Sequence, residues 1–346
     1  MATDQLKSII YRRGTPPEPK GFNSKIPWTV QHQIAVTTGK VFNSIVGNMT
    51  EYPTYSIPLP KTATPKLMLD IGSGWGRWLV AGHDLGYIPV GFDIRLEFCE
   101  TQQHILKATN RKGYSIVADL EEIPFINSLF DLVWSFITLQ QVHKNRLENC
   151  LKCVDKLLAK DGFSYLQFPN KMGIRHRFWK SNTDGDGPDD FLTNRMYTPA
   201  EYREIFTKYL DNFEIYNHCF IGISMLKEDL KYLSFPQNTM WLLSLLATNV
   251  TKPFPLFAPL ADSIFIKNTK KSSLPEETLL RKEFIKLHQS ADFDNLNIIR
   301  LTKCPISGER LELSNDRTKV ISNGAGVYFP VVNDIPILIR SEAVSL

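Results

Sequence analysis

Apolar residues recur along this chain in short blocks whose spacing alternates between strand-like runs and helical periods, with turn-forming residues between them. KLMLDIG (66–72) has strand length and ends on glycine, and WLVAGHDLG (78–86) reads as a helix closed by Gly86. PVGFDI (89–94) is the next strand, followed by a helix over about 96 to 109. YSIVADL (114–120) and FDLVWSFI (130–137) are further strands. A helix over about 145 to 160, ending near Gly162, leads into the strand FSYLQFP (163–169). Strands that are almost continuously apolar and alternate with helices predict a parallel sheet covered on both faces. The expected fold is therefore α/β, a Rossmann-like doubly wound sheet.

The flanks follow other patterns. GTPPEPK (14–20) reads as an extended arm, a helix is expected over about 29 to 47, and a Pro-rich stretch runs from Pro53 to Pro65. Beyond Asn170, KSNTDGDGPDD (180–190) is all turn-formers and carboxylates and reads as a mobile loop. Thr198-Pro199-Ala200-Glu201 is a capping box with proline at the first helical position, so a helix should open there and run to about 209. FEIYNHCFIGI (213–223) and DSIFIKN (262–268) read as strands around an insertion with an apolar helix at about 239–248. The pattern divides the chain into an N-terminal arm and helix (1–64), a domain (65–268) with insertions at 171–200 and 224–260, a charged linker (269–292) and a small β-rich C-terminal module (293–346).

Composition narrows the class. A chain of 346 residues, 43% of them hydrophobic, suffices for one large domain plus a small one. Its net charge of +4 does not demand a polyanionic partner. The five cysteines, Cys99, Cys150, Cys153, Cys219 and Cys304, form no framework, and the Cys150–Cys153 pair lies inside a helical pattern. They read as reduced thiols rather than as a metal or redox site. Residues 9–11 are too short a run for a signal peptide, and Met240 to Ala247 falls far below the roughly 20 residues that span a bilayer. A cytoplasmic protein without a transmembrane segment is expected.

The segment richest in chemistry is Asp70-Ile71-Gly72-Ser73-Gly74-Trp75-Gly76. Glycines directly after a parallel strand let the backbone turn sharply and approach a ligand. The spacing is G-x-G-x-G, not the G-x-G-x-x-G of dinucleotide sites, which disfavours an NAD oxidoreductase. Asp70 at the strand end suits a ligand with an amino group and a sulfonium charge better than a pyrophosphate. This run resembles the first motif of the class I S-adenosylmethionine-dependent methyltransferases, and the resemblance covers about 100 residues. It implies S-adenosyl-L-methionine as cofactor, held by Asp70, Gly72, Ser73, Gly74 and Gly76. It further implies ribose recognition by Asp93 beside Ile94, adenine recognition by Asp119 and Leu120, and a border around the methyl group from Ser135 and Phe136 onward.

In-line methyl transfer needs positioning above all, with a general base for an acidic O–H or N–H acceptor. The resemblance places a histidine after the fourth strand. Here that stretch reads Leu139-Gln140-Gln141-Val142, with His143 next, so His143 is the candidate base or else a polar residue of the rim. Asn170 follows the fifth strand and is a candidate for positioning, while Arg175, His176 and Arg177 are either an anion clamp or a solvated patch. Trp28, Gln31 and His32 are either a lid over the cofactor or ordinary packing. The apolar helix around Met240 to Leu246 is core, a substrate wall or a lipid contact.

The C-terminal residues Cys304, Pro305, Ser307 and Gly308, then Tyr328-Phe329-Pro330 and Asp334-Ile335-Pro336-Ile337-Leu338, resemble the small zinc-ribbon-like methyltransferase-activator family. Ser307 stands where that resemblance implies a second cysteine, and one thiolate cannot make a tetrahedral zinc site, so no metal is expected. The whole reads as a methyltransferase acting on a small molecule or metabolite at oxygen, nitrogen or carbon. RNA or a translation-related protein as substrate is the alternative that the C-terminal module suggests, and a non-catalytic cofactor-binding scaffold is a further one.

Overall fold

A computed structural model describes residues 16–346 apart from 39–41, 43–44, 179–194, 211, 223, 225, 252–253 and 272–276. The expected loop at 180–190 lies outside the described residues. In chain order the helices are α1 (Trp28–Thr38), α2 (Arg77–Asp84), α3 (Leu96–Ala108), α4 (Lys144–Leu157), α5 (Ile174–Phe178), α6 (Pro199–Thr207), α7 (Gln237–Thr251) and α8 (Glu277–Gln289). The strands are β1 (Lys66–Ile71), β2 (Tyr87–Asp93), β3 (Tyr114–Ala118), β4 (Phe130–Ser135), β5 (Leu158–Pro169), β6 (Phe213–Cys219), β7 (Ser263–Thr269), β8 (Glu312–Leu313), β9 (Lys319–Ser322), β10 (Val327–Val332), β11 (Ile335–Leu338) and β12 (Val344–Ser345). The architecture is the α/β, Rossmann-like fold, with parallel strands at its centre and a β-rich C-terminal part. Among the described residues no helix is long and apolar enough to cross a membrane.

The chain divides into two compact units, Met1–Leu129 with Leu274–Leu346, and Phe130–Ser273. In the first, β1 pairs with β2, β2 with β3 and β3 with β11, all parallel, while β10, β9 and β8 continue antiparallel. Asp70 lies opposite Gly91 and Asp93 opposite Val117, so the C-terminal ends of β1, β2 and β3 share one edge. The strands are buried because nearly every residue is apolar on both faces.

The C-terminal module is no appendage to this sheet. Ile337 lies opposite Val117 and Leu338 opposite Ala118, so β11 extends it beyond β3. Ile335, Ile337 and Ile339 form one apolar cluster with Leu96, Cys99 and Val117. One residue pair before that register, Asn295 mimics a strand: its Oδ1 accepts from Ser115 N at 2.8 Å, and its Nδ2 donates to Ser115 O at 2.9 Å. The segment after β3 is gripped as well. Ile126 N donates to Leu301 O (3.0 Å), Lys303 N to Pro124 O (2.9 Å), and Arg340 Nε pairs with Glu122 at 2.7 Å. The stretch expected as a linker contains α8, whose Phe284 is fully buried against Tyr114 with ring centroids 4.9 Å apart.

In the module's turns a carboxylate and a thiol collect hydrogen bonds. Glu309 Oε1 accepts from Ser322 Oγ (2.6 Å), Gly324 N (2.6 Å) and Ala325 N (3.2 Å), and Cys304 Sγ accepts from Ile306 N (3.4 Å). The hydrogen bond from Ser322 and those amides hold the Glu309 carboxyl below its usual range. Among the described residues no cluster of three His, Cys, Asp or Glu side chains is placed to hold a metal. A chelator should therefore leave the melting temperature unchanged, whereas Glu309→Ala should lower it by several degrees. A wild-type melt that drops with chelator would show that a metal holds these turns.

In the second unit β4 and β5 are parallel, and β5–β7 and β7–β6 are antiparallel. The expected helix over 145–160 ends earlier, at Leu157, and β5 starts at once with Leu158 opposite Phe130. The register then slips, with Leu132 opposite Phe163, so residues between Leu158 and Phe163 bulge, Asp161 taking φ 60°. The capping box forms as expected: Thr198 accepts from Glu201 N, and Glu201 reaches back to Thr198 N at 2.7 Å. Of the helix expected over about 29 to 47, α1 covers Trp28–Thr38, residues 39–41 and 43–44 lie outside the described residues, and 45–47 form a turn.

Candidate active site

The glycine loop runs from the end of β1 to the start of α2. Gly72, Gly74 and Gly76 have φ of 66°, 51° and 92°, the left-handed region in which a side chain is strained. Neighbouring groups pin the loop. Ser73 N donates to Phe92 O (3.0 Å), and Gly74 N donates to Asp93 Oδ2 (3.0 Å). Gln102 of α3, fully buried, donates to Ser73 Oγ (2.8 Å) and Gly74 O (2.7 Å). From the N-terminal side α1 closes on the loop: Trp75 Nε1 donates to Thr38 Oγ1 at 2.8 Å, and a Cβ on Gly74 would sit 3.3 Å from Thr37 Cβ.

Asp70 is 1% exposed, and neither of its carboxyl oxygens has a hydrogen-bond partner. Burial pushes its pKa up to about 8; the charge of Arg77 offsets part of this, and Asp93 adds to it. The Arg77 guanidinium lies over the rings of Trp78 (5.1 Å) and Tyr55 (5.5 Å). An orphaned buried carboxyl costs free energy unless a ligand completes it. Asp93, at the end of β2, is partly exposed and accepts from Gly74 N and Arg95 N (3.2 Å). Burial raises its carboxyl to about 6 despite these amides. Asp119, directly after β3, accepts from Glu121 N at 2.9 Å and so shapes the turn Leu120–Glu122.

Asp70, Gly72, Ser73, Gly74, Gly76, Asp93, Asp119 and Leu120 thus gather at one sheet edge of the first unit. Ile94 sits beside them, its side chain packed on the apolar cluster of β11. The remaining predicted residues belong to the second unit. Ser135 is buried at the end of β4, and Phe136 packs edge-on to His218 at 5.3 Å. His143 is the N-cap of α4 and makes no side-chain capping bond. Asn170 has its amide fully used: Nδ2 donates to Ala261 O (2.7 Å) and Pro259 O (3.1 Å), and Oδ1 accepts from Met172 N (2.9 Å). His176 Nδ1 lies 2.7 Å from Asn170 O, and Arg175 N donates to Asp262 Oδ1 (2.8 Å).

Two of the N-terminal candidates serve packing. Gln31 is fully buried and ties Ile26 O, Gly47 N and Met49 N together. Trp28 Nε1 donates to Pro16 O at 2.7 Å. His32 is partly buried, and its pKa is lowered by burial and by the charge of Arg95. Sequence reasoning missed Gln102 and Arg77. Gln102 had a signal, a polar residue on the apolar stripe Phe98, Ile105 and Leu106 of α3. Both cysteines of the C-x-x-C pair lie on α4 and form no disulfide.

A glycine loop, an orphaned strand-end acid and a second acid at the next strand end lie together at this sheet edge. Residues 68–162 match the family model described as a methyltransferase domain. A UPF0434 protein of Ectopseudomonas mendocina is 42% identical over 52 residues, 15% of this chain and 85% of that protein; one of Pseudomonas putida is 41% identical over 49 residues, 14% and 80%. Solved structures with a similar fold include a possible histamine N-methyltransferase of Thermotoga maritima, with 17% identity, TM-score 0.41, 62% of this chain and 84% of that one. Another is the complex of the Haloferax volcanii Trm112 methyltransferase activator with a putative methyltransferase, with 15% identity, TM-score 0.41, 62% and 86%. Residues 68–162 thus carry a methyltransferase domain of the S-adenosylmethionine-dependent class I kind, and the C-terminal module belongs to the UPF0434 family. It is an enzyme, and S-adenosyl-L-methionine is its cofactor.

Proposed function

We propose that Asp70 and the Gly72–Gly76 loop hold the methionine end of S-adenosyl-L-methionine, Asp93 its ribose, and Asp119 with Leu120 its adenine. The observation that carries this is the pair of partnerless Asp70 oxygens beside a loop with glycine, at positive φ, in three of its five positions. The cofactor brings an activated methyl group. Gln102 and Asp93 fix the loop from behind, so its geometry is set before binding. His143, its ring not spent on capping, takes the acceptor's proton where the acceptor ionises in the transition state. Asn170 acts as a support, its amide being committed within the chain.

The acceptor in this reading is a small molecule. Ser135-Phe136-Ile137-Thr138 follows β4 in place of an Asn-Pro-Pro-Tyr amine-methylation motif, and charge is nearly balanced at +4. Labelled methyl transfer into a polar-metabolite pool, run beside transfer into transfer RNA and ribosomal RNA, decides between the two classes. Five free thiols support the expected cytoplasmic setting.

The cofactor site has a proton signature. Without ligand, Asp70 keeps its proton up to about pH 8, so folding stability falls as pH rises from about 4 toward 8. A cationic ammonium favours the carboxylate, so binding below pH 8 expels a proton. Affinity should rise between pH 6 and 8 by up to roughly tenfold per unit. Calorimetry in buffers of different ionisation enthalpy should show this release, and Asp70→Asn should abolish it. Binding with no proton exchange would remove Asp70 from the ammonium site.

A further inference from the structure

Helix α7 in the second unit is inside out. Its hydroxyl face is the buried one, with Ser244 2% and Thr248 7% exposed. That face is fixed by specific bonds: Ile221 N donates to Ser244 Oγ (3.0 Å), and Asn217 Nδ2 donates to Thr251 Oγ1 (2.8 Å). Trp241 packs where Gly222 has no side chain, a Cβ there falling 2.1 Å from the indole. The apolar face is therefore turned outward by design of the contacts beneath it, not by a slip of helical phase. Leu242 and Leu243 are followed by Leu246 and Val250 at three- and four-residue spacing, and Phe254 and Leu256 lie just beyond the helix, each of the six about half or more exposed.

Ten of the sixteen large apolar residues exposed among the described residues lie between Phe235 and Leu260. A side chain of this size offers roughly 150–200 Å² when bare, so the exposed part amounts to on the order of 900 Å². A monomer's largest apolar patch is about 300–600 Å², and one partner in a standard interface supplies about 800 Å². From Leu233 to Thr251 there is no charged residue, the preceding turn balances Lys227 and Lys231 with Glu228 and Asp229, and a single lysine, Lys252, follows. An anionic lipid surface calls for a basic flank, which this balance does not provide. A neutral apolar helix face is instead its own complement, without like-charge repulsion across a two-fold axis.

We propose that this face is the dimer interface of the enzyme: two copies pack α7 against α7 in antiparallel fashion. Leu246, near the middle of the helix, then lies close to the two-fold axis. The proposal is independent of the substrate and of the roles given to the cofactor residues.

Sedimentation equilibrium of the full chain over a wide concentration range should show a dimer. Leu243→Asp with Leu246→Asp should be monomeric and still bind S-adenosyl-L-methionine with unchanged affinity. Should that variant fail to fold, oxidative crosslinking of Leu246→Cys supplies the same test. It should give a covalent dimer, and Leu279→Cys on the exposed face of α8 should give none. A wild type that stays monomeric, or a dimer that survives the aspartates, overturns the proposal. So does monomeric wild type that floats with neutral or anionic phospholipid vesicles and loses this property in the variant; the face would then be a lipid contact.

Discussion

Ile337→Asp should unfold the first unit at temperatures where the wild type is intact. Ile337 is fully buried, opposite Val117 of β3 and clustered with Leu96, Cys99, Ile335 and Ile339. The substitution removes a buried aliphatic side chain and places an unpaired carboxylate among apolar neighbours. Together these cost about 4 kcal/mol or more, a large share of the roughly 5–15 kcal/mol that holds a domain folded. The melting temperature should fall by at least about 10 °C. Because β3 leads into Asp119, and the segment after Asp119 is gripped by Leu301, Lys303 and Arg340, cofactor binding should fall with it. Val344→Asp is the control, since Val344 is 44% exposed in the same module and should change neither quantity by much. Thermal melts with and without cofactor check both variants. Equal melts for Ile337→Asp and wild type would mean that β11 is dispensable to the sheet.

The contrast between these two positions also marks what sequence reading reaches. The strands of the central series are apolar on both faces, so their burial can be inferred from residue type alone, and the glycine loop is legible from its spacing after β1. The capping box at Thr198 is local chemistry and forms where it was expected. The partner of β11 is a non-local fact. Ile335-Pro336-Ile337-Leu338 is apolar throughout and fully buried, which signals cover on both faces but not that β3 supplies the neighbouring edge. The same holds for α8: its charges read as a linker, while Phe284 and His288 pack against Tyr114. The bulge early in β5 escaped because helix and strand abut there without a turn residue between Leu157 and Leu158. In the site, the acids were legible as strand-end residues, but the clamp on the loop comes from Gln102, Thr37 and Thr38, which are distant in sequence. α7 shows the limit most clearly. Its apolar run favours a core helix, and only the hydrogen bonds of Ser244 and Thr248 reveal which face turns inward.

Gly74→Val should abolish cofactor binding while leaving the fold in place. At φ 51° a β-branched residue is strained by about 1–2 kcal/mol, a cost a domain tolerates. The decisive contact is with α1. A Cβ at this position would stand 3.3 Å from Thr37 Cβ and 3.4 Å from Thr37 Cγ2, and valine adds two further methyl groups to this tight contact. The loop must move or α1 must lift. Moving the loop breaks the 3.0 Å bond from Gly74 N to Asp93 and the 2.7 Å bond from Gln102 to Gly74 O, and lifting α1 breaks the 2.8 Å bond from Trp75 to Thr38 Oγ1. A displacement of about 1 Å at a preorganised site costs on the order of a hundredfold, so calorimetric binding should weaken by at least that factor. Strain and crowding can be told apart. Gly308 has φ 76° with nothing within 4 Å of an added Cβ, so Gly308→Ala carries strain alone and should leave cofactor affinity unchanged. Thr37→Gly combined with Gly74→Ala relieves the crowding while keeping the strain, and should recover most of the affinity that Gly74→Ala loses. If Gly74→Val binds S-adenosyl-L-methionine as tightly as the wild type, the loop is not where the cofactor's methionine end lies.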